Sequence, residues 1–502
     1  MKKIPIKLCS FLFLFIAALP AISFCQQKLQ VNDRQELTEK TKQLDNVTKD
    51  HKISVKTKEL STLGIFLANH DQSTGIELWK IDRWKTEIKN LKKMGANTIW
   101  YIPMQHGKHS NKDIESNSAF WTLQKNICKA IIDEGLKVGI YVGYNDVFNE
   151  TIKQHPEWSA VDSKYSLEGT NICPSIPAAR QEAILQRRKV FEELPHIDYL
   201  ICPITDWGGC GCQKCEPLPI IYMNTFKEMT DLCKQFHPKA KVIASGCGIN
   251  MEEQDMLREL IRKADWIDHV ADIPRGVKPI IKYYLSPEIT MANGWGKYGP
   301  CPQFKYIKAS YMEEINYVSG AVTYSEGIHD DVNRFAVLQF AQNPNRTVTN
   351  VAAQYAREWL NLSGKDEKLM AEVIVGLGTN ITRGRDYMYY KDGDNNPLAD
   401  KRLKILIEIR KRNPALQNNY RYWLLNFRAV YESFSTIQGE LTIDELYAEL
   451  KITREAIMRL EPETAHKLIT IVPRWEKPDL SPLSWPRTFN YIWKRENSLL
   501  KK

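Results

Sequence analysis

After residue 25 the chain contains no run of about 20 apolar residues, so none of it reads as a membrane-spanning helix. No glycine-rich phosphate turn follows its first apolar run. The residues there are Ala68, Asn69, His70 and Asp71, which argues against a doubly wound dinucleotide-binding sheet. No histidine pair stands at H-E-x-x-H spacing, so a metalloprotease-type catalytic metal is not expected. Basic residues nowhere form a block interleaved with aromatics, which removes nucleic acid as an expected partner. Net charge carries little further information. The whole chain is +9, and its first 25 residues hold three lysines and no acid, so 9 − 3 leaves +6 dispersed among acids.

What is present begins with Lys2, Lys3 and Lys7, then an uncharged apolar run from Leu8 to Leu19, then Pro20, Ala21 and Ser23. That order of basic, apolar and small residues is the layout of a secretory signal peptide over residues 1–25. Export to the periplasm or the cell surface is therefore expected. Cys25 is a candidate for a lipid anchor, and cleavage after it, leaving Gln26 first, is the alternative. Residues 26–61 are charged and poor in large apolar side chains, and read as a polar spacer.

From Leu63 short apolar runs alternate with helical periodicity. Leu63–Ala68, Thr98–Pro103, Lys137–Val142, Ile197–Ile204, Lys241–Ser245, Trp266–Ala271, Glu288–Ala292 and Ser319–Tyr324 have strand length. Between the first two, Ile81, Trp84, Ile88, Leu91 and Met94 repeat at helical spacing until Gly95. Such alternation predicts parallel strands with helical crossovers, and eight units over residues 62–345 predict a (β/α)8 TIM barrel. Asp330 stands where an N-cap belongs, ahead of Val332–Phe340. Residues 346–502 then read as a C-terminal α-helical domain ending in a tail rich in proline and tryptophan.

In TIM barrels chemistry sits at the C-terminal ends of the strands. That rule selects His106 after strand two, and Tyr144, Asn145 and Asp146 after strand three. It also selects Asp206 and Trp207 after strand four, Asp272 and Arg275 after strand six, and Trp295 after strand seven. Strand eight ends in Tyr324, Ser325 and Glu326, with Asp331 beyond. Carboxylates among aromatics suit sugars, whose apolar faces stack on rings while hydroxyls bond polar groups. Cleavage of a glycosidic bond uses one carboxyl as general acid and a second as nucleophile or base. Asp206 and Glu326 are the first candidates and Asp272 the third; the other residues named would bind substrate. Any single acid of this set can equally be a cap or a loop hydrogen-bonder.

Cys210, Cys212 and Cys215 form a C-x-C-x-x-C cluster just after Asp206. Three such thiols can ligate zinc with a fourth ligand such as Cys173 or Cys301. The spacing matches zinc patterns only in part, and in an exported chain disulfides or free thiols answer to it as well. No cofactor is expected beyond that structural zinc.

Three stretches carry a family resemblance: HPEWSAVDS (155–163) with NICPSIPAAR (171–180), TDWGGCGCQKC (205–215), and YSEGIHDDVNRF (324–335) followed by NPNRTVTNVAAQYAREWL (343–360). Over residues 60–365 the chain resembles bacterial (β/α)8 glycoside hydrolases of families 20, 67, 84 and 89 and their relatives. The resemblance implies a glycosidase with its acid at the end of strand four, matched by Asp206. Families 20 and 84 carry two adjacent acids there, whereas Trp207 follows here. Glu326 is proposed from its position alone. A glycan-binding barrel without activity, or a metal-dependent hydrolase or lyase using the cysteine loop, are the competing expectations.

Overall fold

The computed structural model describes residues 60–69, 75–106, 118–162, 170–204, 208–246, 249, 253–271, 277–282, 300–314, 316–377, 381–383, 390–392, 398–434 and 439–465. Eight parallel strands form one curled sheet: β1 (Thr62–Leu67), β2 (Thr98–Tyr101), β3 (Lys137–Tyr141), β6 (Tyr199–Ile201), β7 (Lys241–Ser245), β8 (His269–Ala271), β9 (Ile281–Lys282) and β10 (Gly320–Ser325). They pair in chain order, and β10 returns to β1 with Phe66 opposite Tyr324. The gap between β8 and β9 is bridged by Val270 and Ile280, where the Val270 N–H donates to the Pro279 carbonyl at 3.1 Å. The ring is thereby closed as a (β/α)8 barrel.

The alternation of side chains along each strand explains why short apolar runs suffice. Ile65 and Leu67 point outward into the layer beneath the helices, together with Ile99, Val138, Ile140 and Val242. Phe66 points inward, to an interior filled by Trp100, Tyr199, Ile243, Ile281 and Val322. Gly139 makes room for this filling: a Cβ there would lie 2.0 Å from the Trp100 indole. Truncating Trp100 to alanine should cost about 3–5 kcal/mol, measurable by denaturant unfolding.

The helix Ile81–Met94 buries Trp84, Ile88, Leu91 and Met94 on one face. It stops at Gly95, whose left-handed backbone (φ 105°) lets its N–H close back on the last turn. Strand seven departs from expectation. It lies at Ile281–Lys282, and the expected Glu288–Ala292 falls outside the described residues. Two residues after Pro279 are too short a run to register as a periodic pattern. A pair of two-residue antiparallel strands, β4 (Asp146–Val147) and β5 (Thr170–Asn171), is equally short and adds a small flap after β3.

Beyond the barrel come the helices Val348–Leu360, Gly364–Gly376, Ala399–Arg412, Tyr420–Phe434 and Ile443–Leu460. They form the expected helical layer, together with a small β-ribbon, Ile381–Arg383 with Tyr390–Asp392. Ile443–Leu460 opens with a capping box, in which Thr442 and Glu445 satisfy each other's backbone N–H. Layer and barrel meet along a buried ionic seam. Glu87 sits between Arg83 at 2.9 Å and Arg334 at 3.1 Å. Arg83 also reaches Glu461 at 3.4 Å, and Arg421 reaches Asp331 at 2.8 Å. Burial opposes the Glu87 charge, but Arg334, Arg83 and Arg421 outweigh it and lower its pKa to about 2.

Candidate active site

Glu326 lies just past the C-terminal end of β10, two residues beyond Tyr324 and four beyond the inward-facing Val322. The period of two along a strand puts all three on the barrel's inner face. Glu326 is buried, and its Oε1 accepts a hydrogen bond from the Tyr324 hydroxyl at 2.7 Å. Its backbone is pinned as well: Asp330 Oδ2 accepts from the Glu326 N–H at 3.0 Å and from the Ser325 hydroxyl at 2.8 Å. Asp330 does occupy the N-cap position of the helix Asp331–Gln342, yet its side chain makes no capping bond there. Its carboxylate turns back to hold the strand end.

Aromatic rings stand beside this carboxyl. Phe66 packs edge-on against Tyr324 (5.3 Å between centroids) and stacks on Tyr141 (5.2 Å). Tyr141 and Tyr324 are half-buried, whereas Phe66 is fully buried. Tyr141 was not singled out from the sequence; its inward phase on β3, two residues past Gly139, was the available signal. Across β1 and β2, Asn69 extends the ladder by exchanging two hydrogen bonds with the Ile102 backbone, both 2.9 Å. Gln105 then donates to the Asn69 carbonyl at 2.7 Å.

His106 and Asp146 are brought together, with Nδ1 to Oδ2 at 2.7 Å and both residues buried. The other Asp146 oxygen accepts from Arg187 at 2.7 Å, an arginine wholly enclosed on the helix Pro177–Glu193. Burial opposes ionisation of Asp146, but Arg187 and His106 hold its carboxyl well below the usual range. Arg187 was missed in the sequence because an arginine on a helix ordinarily reads as a solvent-facing charge. Asn145 donates to the carbonyls of Ile172 (2.9 Å) and Gly209 (3.0 Å), so its amide ties the β4–β5 flap to the loop after β6. Tyr144 is buried against Tyr222; burial, then the thiols of Cys215 and Cys210, push its phenol well above its usual range.

Asp331 stands apart from this group. Its carboxylate accepts from the Tyr355 hydroxyl at 2.6 Å, Arg421 at 2.8 Å and the Tyr420 hydroxyl at 3.2 Å. These bonds commit it to the seam with the helical layer, in place of the substrate contact expected from its position after strand eight. Asp206, Trp207, Asp272, Arg275 and Trp295 lie outside the described residues.

Cys210, Cys212 and Cys215 gather with Cys173, and all four sulfurs lie within 4.8 Å of one another. Cys301 is not in this group; its carbonyl accepts from Asn333 at 2.8 Å.

No protein-family model and no curated protein matches this sequence. Solved structures do resemble it. One is a family 138 glycoside hydrolase targeting pectin rhamnogalacturonan II, with TM-score 0.50 at 9% identity over 86% of this chain and 77% of that one. Another is a family 89 enzyme from Clostridium perfringens in complex with its substrate GlcNAc-alpha-1,4-galactose. There the TM-score is 0.51 at 9% identity over 79% of this chain. The fold resembles a glycoside hydrolase TIM barrel. At these identities the likeness is one of fold, and this chain spans about half, 54%, of the Clostridium chain.

Proposed function

We propose that this chain is an exported glycoside hydrolase, cleaving a poly- or oligosaccharide with a carboxyl pair that includes Glu326. The observation that carries the reading is the Glu326 carboxyl, buried at the end of strand eight, oriented by Tyr324 and flanked by the Phe66–Tyr141–Tyr324 rings. A carboxyl held in one orientation by a hydrogen bond is preorganised for reaction, and half-buried tyrosines offer faces for a sugar ring. Glu326 serves as nucleophile or base. Asp206 is the general acid, as the family resemblance implies, with Asp272 as the alternative partner. A separation of about 5–5.5 Å between the two carboxyls gives retention of configuration, and about 6.5–9.5 Å gives inversion.

Fold likeness to carbohydrate-active barrels supports the substrate class, and the leader-like residues 1–25 support export. Among the described residues no helix is long and apolar enough to cross a membrane; a lipid on Cys25 is the membrane attachment this reading proposes. The test is reducing-sugar release from a panel of polysaccharides and aryl glycosides, comparing wild type with Glu326→Gln and Asp206→Asn. Loss of about 10²–10⁴-fold in each folded variant is expected for removal of an acid–base or nucleophilic carboxyl. Wild-type rates in Glu326→Gln would overturn the assignment, and glycan binding without turnover in wild type would leave a binding barrel.

A further inference from the structure

The loop after β6 is shaped around its sulfurs. Gly209 takes a left-handed backbone (φ 98°), and Cys212, itself extended, leads into the single turn Gln213–Cys215. The Cys215 N–H closes on the Cys212 carbonyl at 2.9 Å, which folds Cys215 back beside its neighbours. Cys173 arrives from the other side of β5, its N–H bound to the Trp158 carbonyl at 2.7 Å. Val161 fastens the loop twice: its carbonyl accepts from the Gly211 N–H at 2.8 Å, and its own N–H donates to Cys210 Sγ at 3.4 Å. Ala160, Ile176 and Ile221 enclose the group.

Two sulfur separations are decisive. Cys173 Sγ lies 3.6 Å from Cys212 Sγ and 3.7 Å from Cys215 Sγ. A disulfide needs about 2.05 Å. Four thiolates on one tetrahedral ion at about 2.3 Å stand about 3.8 Å apart along each edge. From this geometry we infer that Cys173, Cys210, Cys212 and Cys215 form a structural zinc site. Four sulfurs complete the coordination shell and leave no position for water or substrate, so the ion braces and does not catalyse. It joins the segment before the helix Pro177–Glu193 to the loop after β6. The N–H of Val161 on Cys210 Sγ is the outer-shell bond such thiolates take. This inference stands independently of the glycosidase reading.

The test is the metal content of the full chain, purified from cells supplied with zinc and washed free of loose metal without chelator. About one zinc per chain is expected, released by a mercurial reagent as the four thiols react. Cys173→Ser and Cys215→Ser should lower the zinc at least tenfold, while Cys128→Ser and Cys233→Ser, which change thiols of the helix–strand layer, should retain it. Cys212→His supplies another zinc ligand at the half-exposed corner and should keep the ion even if the serine variants fail to fold. Differential alkylation of non-reduced wild type gives the opposing outcome. Zinc-free protein with these four cysteines paired as disulfides, or all four thiols free and alkylated, would overturn the site.

Discussion

Glu326 and Asp331 lie five residues apart on one segment, both buried, and their surroundings have almost nothing in common. Asp331 accepts from an arginine and two phenols of the helical layer, bonds that leave a carboxylate no task except to hold. Glu326 takes a bond from Tyr324, a phenol on the strand that leads into it, and sits on the inner face of the barrel beside half-buried rings. The 3-10 turn Ile328–Asp330 divides them. Before it the strand period directs alternate side chains inward; after it the helix Asp331–Gln342 directs its acid to the seam. Burial of an acid therefore says little about function until the origin of its partners is known.

The comparison can be broken by mutation. The largest effect is expected from Glu326→Gln, with turnover lowered about 10²–10⁴-fold and unfolding unchanged. Asp331→Ala should do the reverse. It leaves Arg421 buried without its partner and should destabilise by about 3–5 kcal/mol in denaturant titration, with turnover per folded molecule retained. Acid should separate the two regions more gently. In the seam, burial opposes the Glu87 charge but its arginines depress its folded pKa. That stabilisation is present above the unfolded carboxylate range and is lost as pH falls from about 4.5 towards 2. Glu461, pushed up by burial, opposes this in part. Melting temperature should thus drop across that window, and Glu87→Gln should flatten the drop. A pH-independent melting curve there would contradict the seam. The smallest effect belongs to Tyr324→Phe, which removes one hydrogen bond of about 1–1.5 kcal/mol and should slow turnover about tenfold.

Strands whose apolar run filled their length were legible. Lys241–Ser245 coincides residue for residue with its strand, because its inward and outward positions are both apolar in its central residues. Ile281–Lys282 and the β4–β5 pair were not, since two residues carry no period. Helix starts came late where a polar first turn precedes the apolar face. The helix read over Val332–Phe340 begins at Asp331. At the site, the strand-end rule reached Glu326 and Tyr324 but could not tell that Asp331 turns away, because a change of phase inside a short turn leaves no mark in composition. Cys173 and Cys301 were both named as a fourth sulfur, but at 37 positions before Cys210 no spacing chose Cys173, which the β4–β5 flap brings near.

The ionic seam has one more consequence, for how freely this barrel can be recombined. Every residue from Asp331 to Ala341 is buried, including Asn333 and Arg334, because the helix lies between barrel and helical layer. A chain ended at Gln342 would strip Asp331 of all three partners and lay a mostly apolar helix open to water. The barrel is thus no detachable module to be spliced onto other chains. Its last helix already belongs to its neighbour, and the two must be inherited, expressed and unfolded together.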